Sequence, residues 1–272
     1  MLKNITIGQY YPGDSVLHRM DPRMKLVLTT VYIVLLFMAE HIWGLLIGVL
    51  LLLFLYPMAQ IPGKLVLRSI RSIVPIIIFT AILNMFFVTG DVLWQWWIFK
   101  ITDRGISMAF TIAVRIICLI AGSSLLMYTT SPILLTDAIE RLFAPLRRFR
   151  VPVHEIAMMM TIALRFIPTL IEETDKIMSA QKARGADLES GGLVQRVKAL
   201  IPILIPLFVS AFRRADELAL AMECRCYHGG EGRTRMRQLK MTGIDALAAL
   251  FMTACFVAVI LANRLAFAAG VF

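Results

Sequence analysis

No phosphate-cradling G-x-x-x-x-G-K-[ST] run, no H-E-x-x-H pair and no G-x-S-x-G elbow occurs in the 272 residues. Nucleotide hydrolysis, zinc-assisted hydrolysis and serine-nucleophile chemistry therefore lack their usual carriers in this chain. Histidine is scarce, and His18, His41, His154 and His228 stand apart without the spacing of metal ligands. Cysteine is equally scarce. Cys118 and Cys255 lie in apolar stretches, while Cys224 and Cys226 form one C-x-C pair near His228. That is too few ligands for a structural metal, and it is no disulfide framework. No resident cofactor is expected. Acidic residues number 18 against 28 Lys and Arg, a net charge of +10.

Apolar residues are what the chain has in excess. They make up 59% of it, where soluble domains carry roughly 45–50%, and the mean hydropathy is +0.77. The expected fold class is all-α, a polytopic membrane protein embedded in a lipid bilayer. In such a protein surplus Lys and Arg collect first in cytoplasmic segments, so the positive charge is a topology signal and no nucleic-acid partner is expected. Residues 1–23 contain Asp14, His18, Arg19, Asp21 and Arg23 and no apolar h-region, so no cleavable leader is expected.

Five spans can be drawn. Asp21-Pro22 is a helix start, an N-cap acceptor followed by a proline at the first helical position. Apolar runs follow from Leu26 to Ala39 and from Ile42 to Met58, broken only by Glu40-His41; they read as a tight helical hairpin or as one long buried helix. Ile61-Pro62-Gly63 and the cations Lys64, Arg68 and Arg71 close this part on the cytoplasmic side. The third span is Ile73 to Val88. Trp94, Trp96 and Trp97 come next, a cluster suited to the headgroup interface, with ligand stacking as the other use. The fourth span runs from about Gly105 to Thr130 and carries Arg115, an intramembrane cation that serves either structure or transport. The last is Ile244 to Ala262. An odd number of spans puts the N-terminus in the cytoplasm and the C-terminus outside.

Between Ser131 and Met241 nothing is expected to cross. That interval holds 17 of the 28 basic and 12 of the 18 acidic residues. The chain thus divides into an N-terminal arm with four spans (1–130), a cytoplasmic helical domain (131–241) and a C-terminal span (242–272). Within the middle part, Ser131-Pro132 starts a helix ending near Phe149. A second runs from about Val153 to Ala183 with apolar period near 3.6 and a proline, Pro168, inside it. A third follows Gly191-Gly192 and reaches Tyr227, with possible breaks at Pro202 and Pro206.

Both long helices finish on an arginine between small residues: Ala183-Arg184-Gly185 and Cys224-Arg225-Cys226. Arginine presents a planar fork of donors suited to carboxylates and carbonyls. Small neighbours let another backbone come close. A guanidinium at a helix C-terminus also complements the dipole, so plain capping competes for either arginine alone. Two such ends on neighbouring amphipathic helices favour a pair of docking tips.

These segments resemble a known family, the transmembrane T component of energy-coupling factor (ECF) transporters. The likeness is carried by Tyr11-Pro12-Gly13-Asp14-Ser15, His18-Arg19-Met20-Asp21-Pro22-Arg23-Met24-Lys25, Leu164-Arg165-Phe166-Ile167-Pro168-Thr169-Leu170, Ala180-Gln181-Lys182-Ala183-Arg184-Gly185-Ala186 and Ala219-Leu220-Ala221-Met222-Glu223. Of the family's two Ala-Arg-Gly signatures, Ala183-Arg184-Gly185 is intact. The other corresponds to Cys224-Arg225-Cys226, where the arginine remains between residues small enough for docking but the glycine that favours the same helix-end geometry is absent.

The resemblance implies a non-catalytic subunit in the bacterial cell membrane. Two ABC-type ATPase subunits, which bind the ATP and Mg, would receive the two arginine tips. A membrane-embedded, substrate-binding S component would rest on apolar faces of the coupling helices, through Leu135, Leu142, Met159, Ala163, Ile167, Leu207, Ala211 and Leu218. The N-terminal block and Gly230-Glu231-Gly232-Arg233-Thr234-Arg235 look most like the shared module that serves several vitamin S components. The alternatives are a dedicated cobalt, nickel or biotin module and, more remotely, a stand-alone channel or secondary transporter.

Overall fold

Asp21 and Pro22 do open the first long helix in the computed structural model of the chain, which describes residues 10–39, 41–88, 92–96, 99–186, 192–230 and 238–268. After the short α1 (Val16–Arg19), Asp21 accepts from the Arg23 amide and Pro22 takes the first position of α2 (Pro22–Met38). α3 (Ile42–Ala59) begins three residues after Ala39. The two apolar runs are therefore a hairpin, not one long helix. α4 (Gly63–Arg71) and α5 (Val74–Phe87) meet at a 54° bend. β1 (Val92–Trp96) and β2 (Phe99–Thr102) then pair antiparallel, a short exception in an otherwise helical fold. Trp94 and Trp96 fall on β1, and Trp97 lies outside the described residues.

The rest of the chain is α6 (Asp103–Thr129), α7 (Pro132–Leu142), a 3-10 turn (Ala144–Phe149), α8 (Val153–Ala183), α9 (Leu193–Glu223) and α10 (Gly243–Ala268). Ser131 caps α7 by accepting from the Leu134 amide at 3.4 Å. The helix expected to reach Phe149 stops at Leu142. Pro145 has no amide hydrogen to continue the α ladder, and the tighter turn that follows ends on Arg150 at φ 61°. α9, by contrast, runs unbroken through Pro202 and Pro206.

Four described helices are long and apolar enough to cross a membrane: α3, α6, α8 and α10; the bent pair α4–α5 makes a fifth if taken as one broken span. Two expectations change here. At 17 residues α2 is about 25 Å long, short of a hydrocarbon core of roughly 30 Å. α8 does pass on length and composition, because its first 18 residues carry only Glu155 and Arg165.

Among the described residues, those from 139 to 230 form one compact unit, and those from 10 to 138 with 238 to 268 form another. The second unit is built on α2, α3, α6 and α10. Tyr32, Leu36, Leu45, Leu51, Leu52, Cys118, Ala121 and Met252 make its core. α2 approaches its neighbours at glycines: a Cβ on Gly122 would sit 2.5 Å from the Tyr32 ring, and one on Gly48 would sit 2.6 Å from Leu36. At the end where α2 starts, a polar collar ties three elements together. Asp245 (2% exposed) accepts from the Asp21 amide at 2.9 Å and from the Thr242 amide and hydroxyl at 2.7 and 2.9 Å. Lys25 Nζ donates to the Thr129 carbonyl at 2.9 Å and to the Thr130 hydroxyl and the His18 carbonyl at 3.3 Å. Arg23 pairs with Asp21 and also donates to the Leu239 carbonyl at 2.8 Å. The N-terminal block thus clamps α2 to the ends of α6 and α10.

At the opposite end of α2, Arg115 donates to the Ala39 carbonyl at 2.6 Å and Asn263 to the Met38 carbonyl at 2.7 Å. The last carbonyls of a helix have no partner within it, and an apolar solvent supplies none. Arg115 is accounted for as a structural cap.

Candidate functional site

The candidate tips belong to the unit formed by residues 139 to 230, whose frame is α8 and α9. The two helices lie antiparallel, as three contacts along their length establish. Gln181 Nε2 donates to the Pro202 carbonyl at 3.3 Å, Arg214 pairs with Glu173, and the Tyr227 hydroxyl donates to Met158 Sδ at 2.9 Å. The first contact follows from proline spacing. Pro206 has no amide hydrogen, so the carbonyl four residues before it, that of Pro202, is released from the helix ladder and is free to accept from Gln181. In the second, the Glu173 carboxylate accepts from the Arg214 guanidinium, a charge-assisted bond between the two helices.

Tip one is the end of α8. The Gly185 amide donates to the Lys182 carbonyl and the Ala186 amide to the Gln181 carbonyl, both at 3.0 Å, with Gly185 at φ 86°. This is a Schellman motif in which Arg184 is the C-cap residue. Tip two repeats it bond for bond. The Cys226 amide donates to the Glu223 carbonyl at 2.8 Å and the Tyr227 amide to the Met222 carbonyl at 3.0 Å. Cys226 occupies the left-handed position at φ 55°. The absence of glycine therefore does not change the hydrogen-bonding geometry, and Arg225 stands where Arg184 stands in the other tip. Both motifs, Ala183-Arg184-Gly185 and Cys224-Arg225-Cys226, are exposed.

Because α8 and α9 are antiparallel, their C-terminal tips point to opposite ends of the pair. By the contacts above, Arg225 lies level with about residue 160 of α8, so at 1.5 Å per residue the arginines are roughly 35 Å apart. Tip two is also braced. Beyond Cys226 the chain folds back on the first turns of α8, and a Cβ on Gly230 would stand 2.3 Å from the His154 ring. His154 Nδ1 lies 3.0 Å from Glu140 Oε1, which is also 3.8 Å from Arg147.

Of the apolar positions picked from the sequence, Met159 and Ala163 are exposed, whereas Leu135, Leu142, Ile167, Leu207, Ala211 and Leu218 are half-buried. More open apolar side chains lie elsewhere on α9, at Ile205, Phe208, Val209 and Phe212, each 57–68% exposed. None of these four is among the positions picked from the sequence. The available signal was that the first half of α9 is apolar on nearly every side, which a single stripe does not describe. Gln181 and Tyr227 were also missed, and of the two only Gln181 had a signal, the proline pair four residues apart. Among the described residues no group of three or more His, Cys, Asp or Glu is placed to hold a metal. The segment from Glu231 to Arg235 lies outside the described residues.

The family described as CbiQ, cobalt transport protein, matches residues 13–236. The energy-coupling factor transporter transmembrane protein EcfT of Ruminiclostridium cellulolyticum is 54% identical over 257 residues, covering 93% of this chain and 96% of that protein. The protein of the same name from Acidaminococcus fermentans is 52% identical over 259 residues, covering 94% and 96%. That of Lactococcus lactis subsp. cremoris is 46% identical over 247 residues, covering 90% and 93%.

Proposed function

This chain belongs to the CbiQ, cobalt transport protein, family, and from that premise we propose that it is the scaffold and energy-coupling subunit of an ECF importer. It is a multi-pass membrane component of an energy-coupling transporter and not itself a catalyst. The finer reading is that Arg184 and Arg225 each dock into one of two ABC-type ATPase subunits, which bind and hydrolyse ATP with Mg. The observation that carries it is the pair of equivalent, exposed arginine caps at opposite ends of one antiparallel helix pair. A helix cap meant only for its own helix has no need of exposure or of a matched counterpart roughly 35 Å away.

The open apolar surface of α9, with Met159 and Ala163 of α8, receives the substrate-binding S component. An apolar area of that extent requires a partner or the bilayer. Substrate identity then belongs to the S component, and the chain serves several vitamin importers in turn. On this reading α8 lies on the cytoplasmic side despite its apolar first half, the N-terminus is cytoplasmic and the C-terminus extracellular.

The test is assembly. Arg184→Glu with Arg225→Glu is expected to leave the protein in the membrane while abolishing co-purification of the ATPases and ATP-driven uptake. Full assembly and uptake by that double variant would refute the docking role. Isolation of the wild type with several different S components, rather than one, checks the shared-module part.

A further inference from the structure

Among the spans of the membrane unit lies an apolar cavity of about 260 Å³ whose walls come from α1, α2, α3, α6 and α10. Its floor is made by the buried Tyr32, Leu52, Leu125 and Met252, with the Tyr32 ring packed closely against Gly122. Its rim faces outward: Phe54 is 58%, Leu247 70% and Phe251 41% exposed, and the Phe54 and Phe251 rings, 5.8 Å apart, bridge α3 to α10. Pockets for drug-sized ligands measure roughly 300–1,000 Å³, so this one suits something thinner, a single flexible chain. An apolar cavity of this kind does not hold water. In a bilayer the apolar material at its mouth is the acyl chain of a lipid.

One end of the cavity is not apolar. Lys25, Thr29 and Thr129 line it there, beside the polar collar. Asp21 and Asp245 are taken up by backbone amides, Thr242 and Arg23. Arg19, in α1 between the lining residues Leu17 and Met20, is exposed, and so is Lys240, which follows the carbonyl that Arg23 binds. Arg19, Arg23, Lys25 and Lys240 outnumber Asp14, Asp21 and Asp245, and the N-termini of α2 and α10 add partial positive charge at the same end. We propose that this cavity is a lipid site, holding one acyl chain of an anionic phospholipid whose headgroup lies at the cation-rich end near Arg19 and Lys240. The chain completes the packing between α3 and α10, where protein side chains leave a gap.

The full-length protein, purified in mild detergent and stripped of lipid, is titrated with phosphatidylglycerol and with phosphatidylcholine while bound lipid is counted by native mass spectrometry. The expected result is about one tightly held phosphatidylglycerol per protein, preferred over phosphatidylcholine by about tenfold. Ala248→Trp, which fills the cavity, lowers the retention of both lipids by about tenfold or more; Leu126→Phe replaces it should the first variant not fold. Arg19→Gln with Lys240→Gln removes the preference and leaves phosphatidylcholine binding unchanged. Equal retention by the filled variant and the wild type means the lipid is only annular and overturns the site. Equal affinity of the wild type for the two lipids overturns the headgroup assignment.

Discussion

Cys226 shows what a single residue concedes to keep a helix end. A non-glycine residue in the left-handed region carries a penalty of roughly 1 kcal/mol, yet the two Schellman bonds at Cys226 and Tyr227 are both made. Substituting Cys226→Gly is therefore expected to raise the stability of the unit by about 0.5–1 kcal/mol, measured by thermal unfolding, with ATPase co-purification intact. If the variant is less stable, the thiol makes a contact that offsets the backbone cost. Arg115 teaches the complementary lesson. Its charge sits in a span because the Ala39 carbonyl, at the end of a helix, has no water to turn to.

At the scale of the element, the α8–α9 pair is held by a contact that proline creates. Pro206 frees the Pro202 carbonyl, and Gln181 takes it. Gln181→Ala is expected to lower stability by about 1 kcal/mol in the native background, but by little once Pro206→Ala has restored an amide to the carbonyl. A double-mutant cycle on the unfolding free energy reads the coupling directly, and independent effects would remove Gln181 as the link. Gln181 also belongs to tip one, since its backbone carbonyl accepts from the Ala186 amide. Side chain and backbone of one residue thus serve both the helix pair and the docking end.

For the whole molecule, the separation of the tips decides how they act. Roughly 35 Å is several Debye lengths at physiological salt, and sites so far apart behave additively. Arg184→Glu alone is accordingly expected to yield a complex lacking one ATPase subunit and keeping the other, with Arg225→Glu giving the reverse, as read by native mass spectrometry. Loss of both subunits from either single variant would mean that the ATPases dock only as a preformed pair. The spans α3, α6 and α10, the Asp21-Pro22 and Ser131-Pro132 helix starts and the two arginine ends were legible in the residues, because hydropathy, capping and helix period act over a few neighbours. The β1–β2 hairpin and the break at Leu142 were not, although Pro145 marked the second. What only the tertiary structure decided is of another kind. Asp245 meets the amide of Asp21 across 224 positions of chain, Cys226 is held in a glycine's conformation, Gln181 finds the Pro202 carbonyl, and α2, α3, α6 and α10 leave a cavity between them. Each depends on residues brought together by packing, whose energies no local pattern records; the sequence alone determined where the long apolar and amphipathic helices lie, and the fold determined what their ends face.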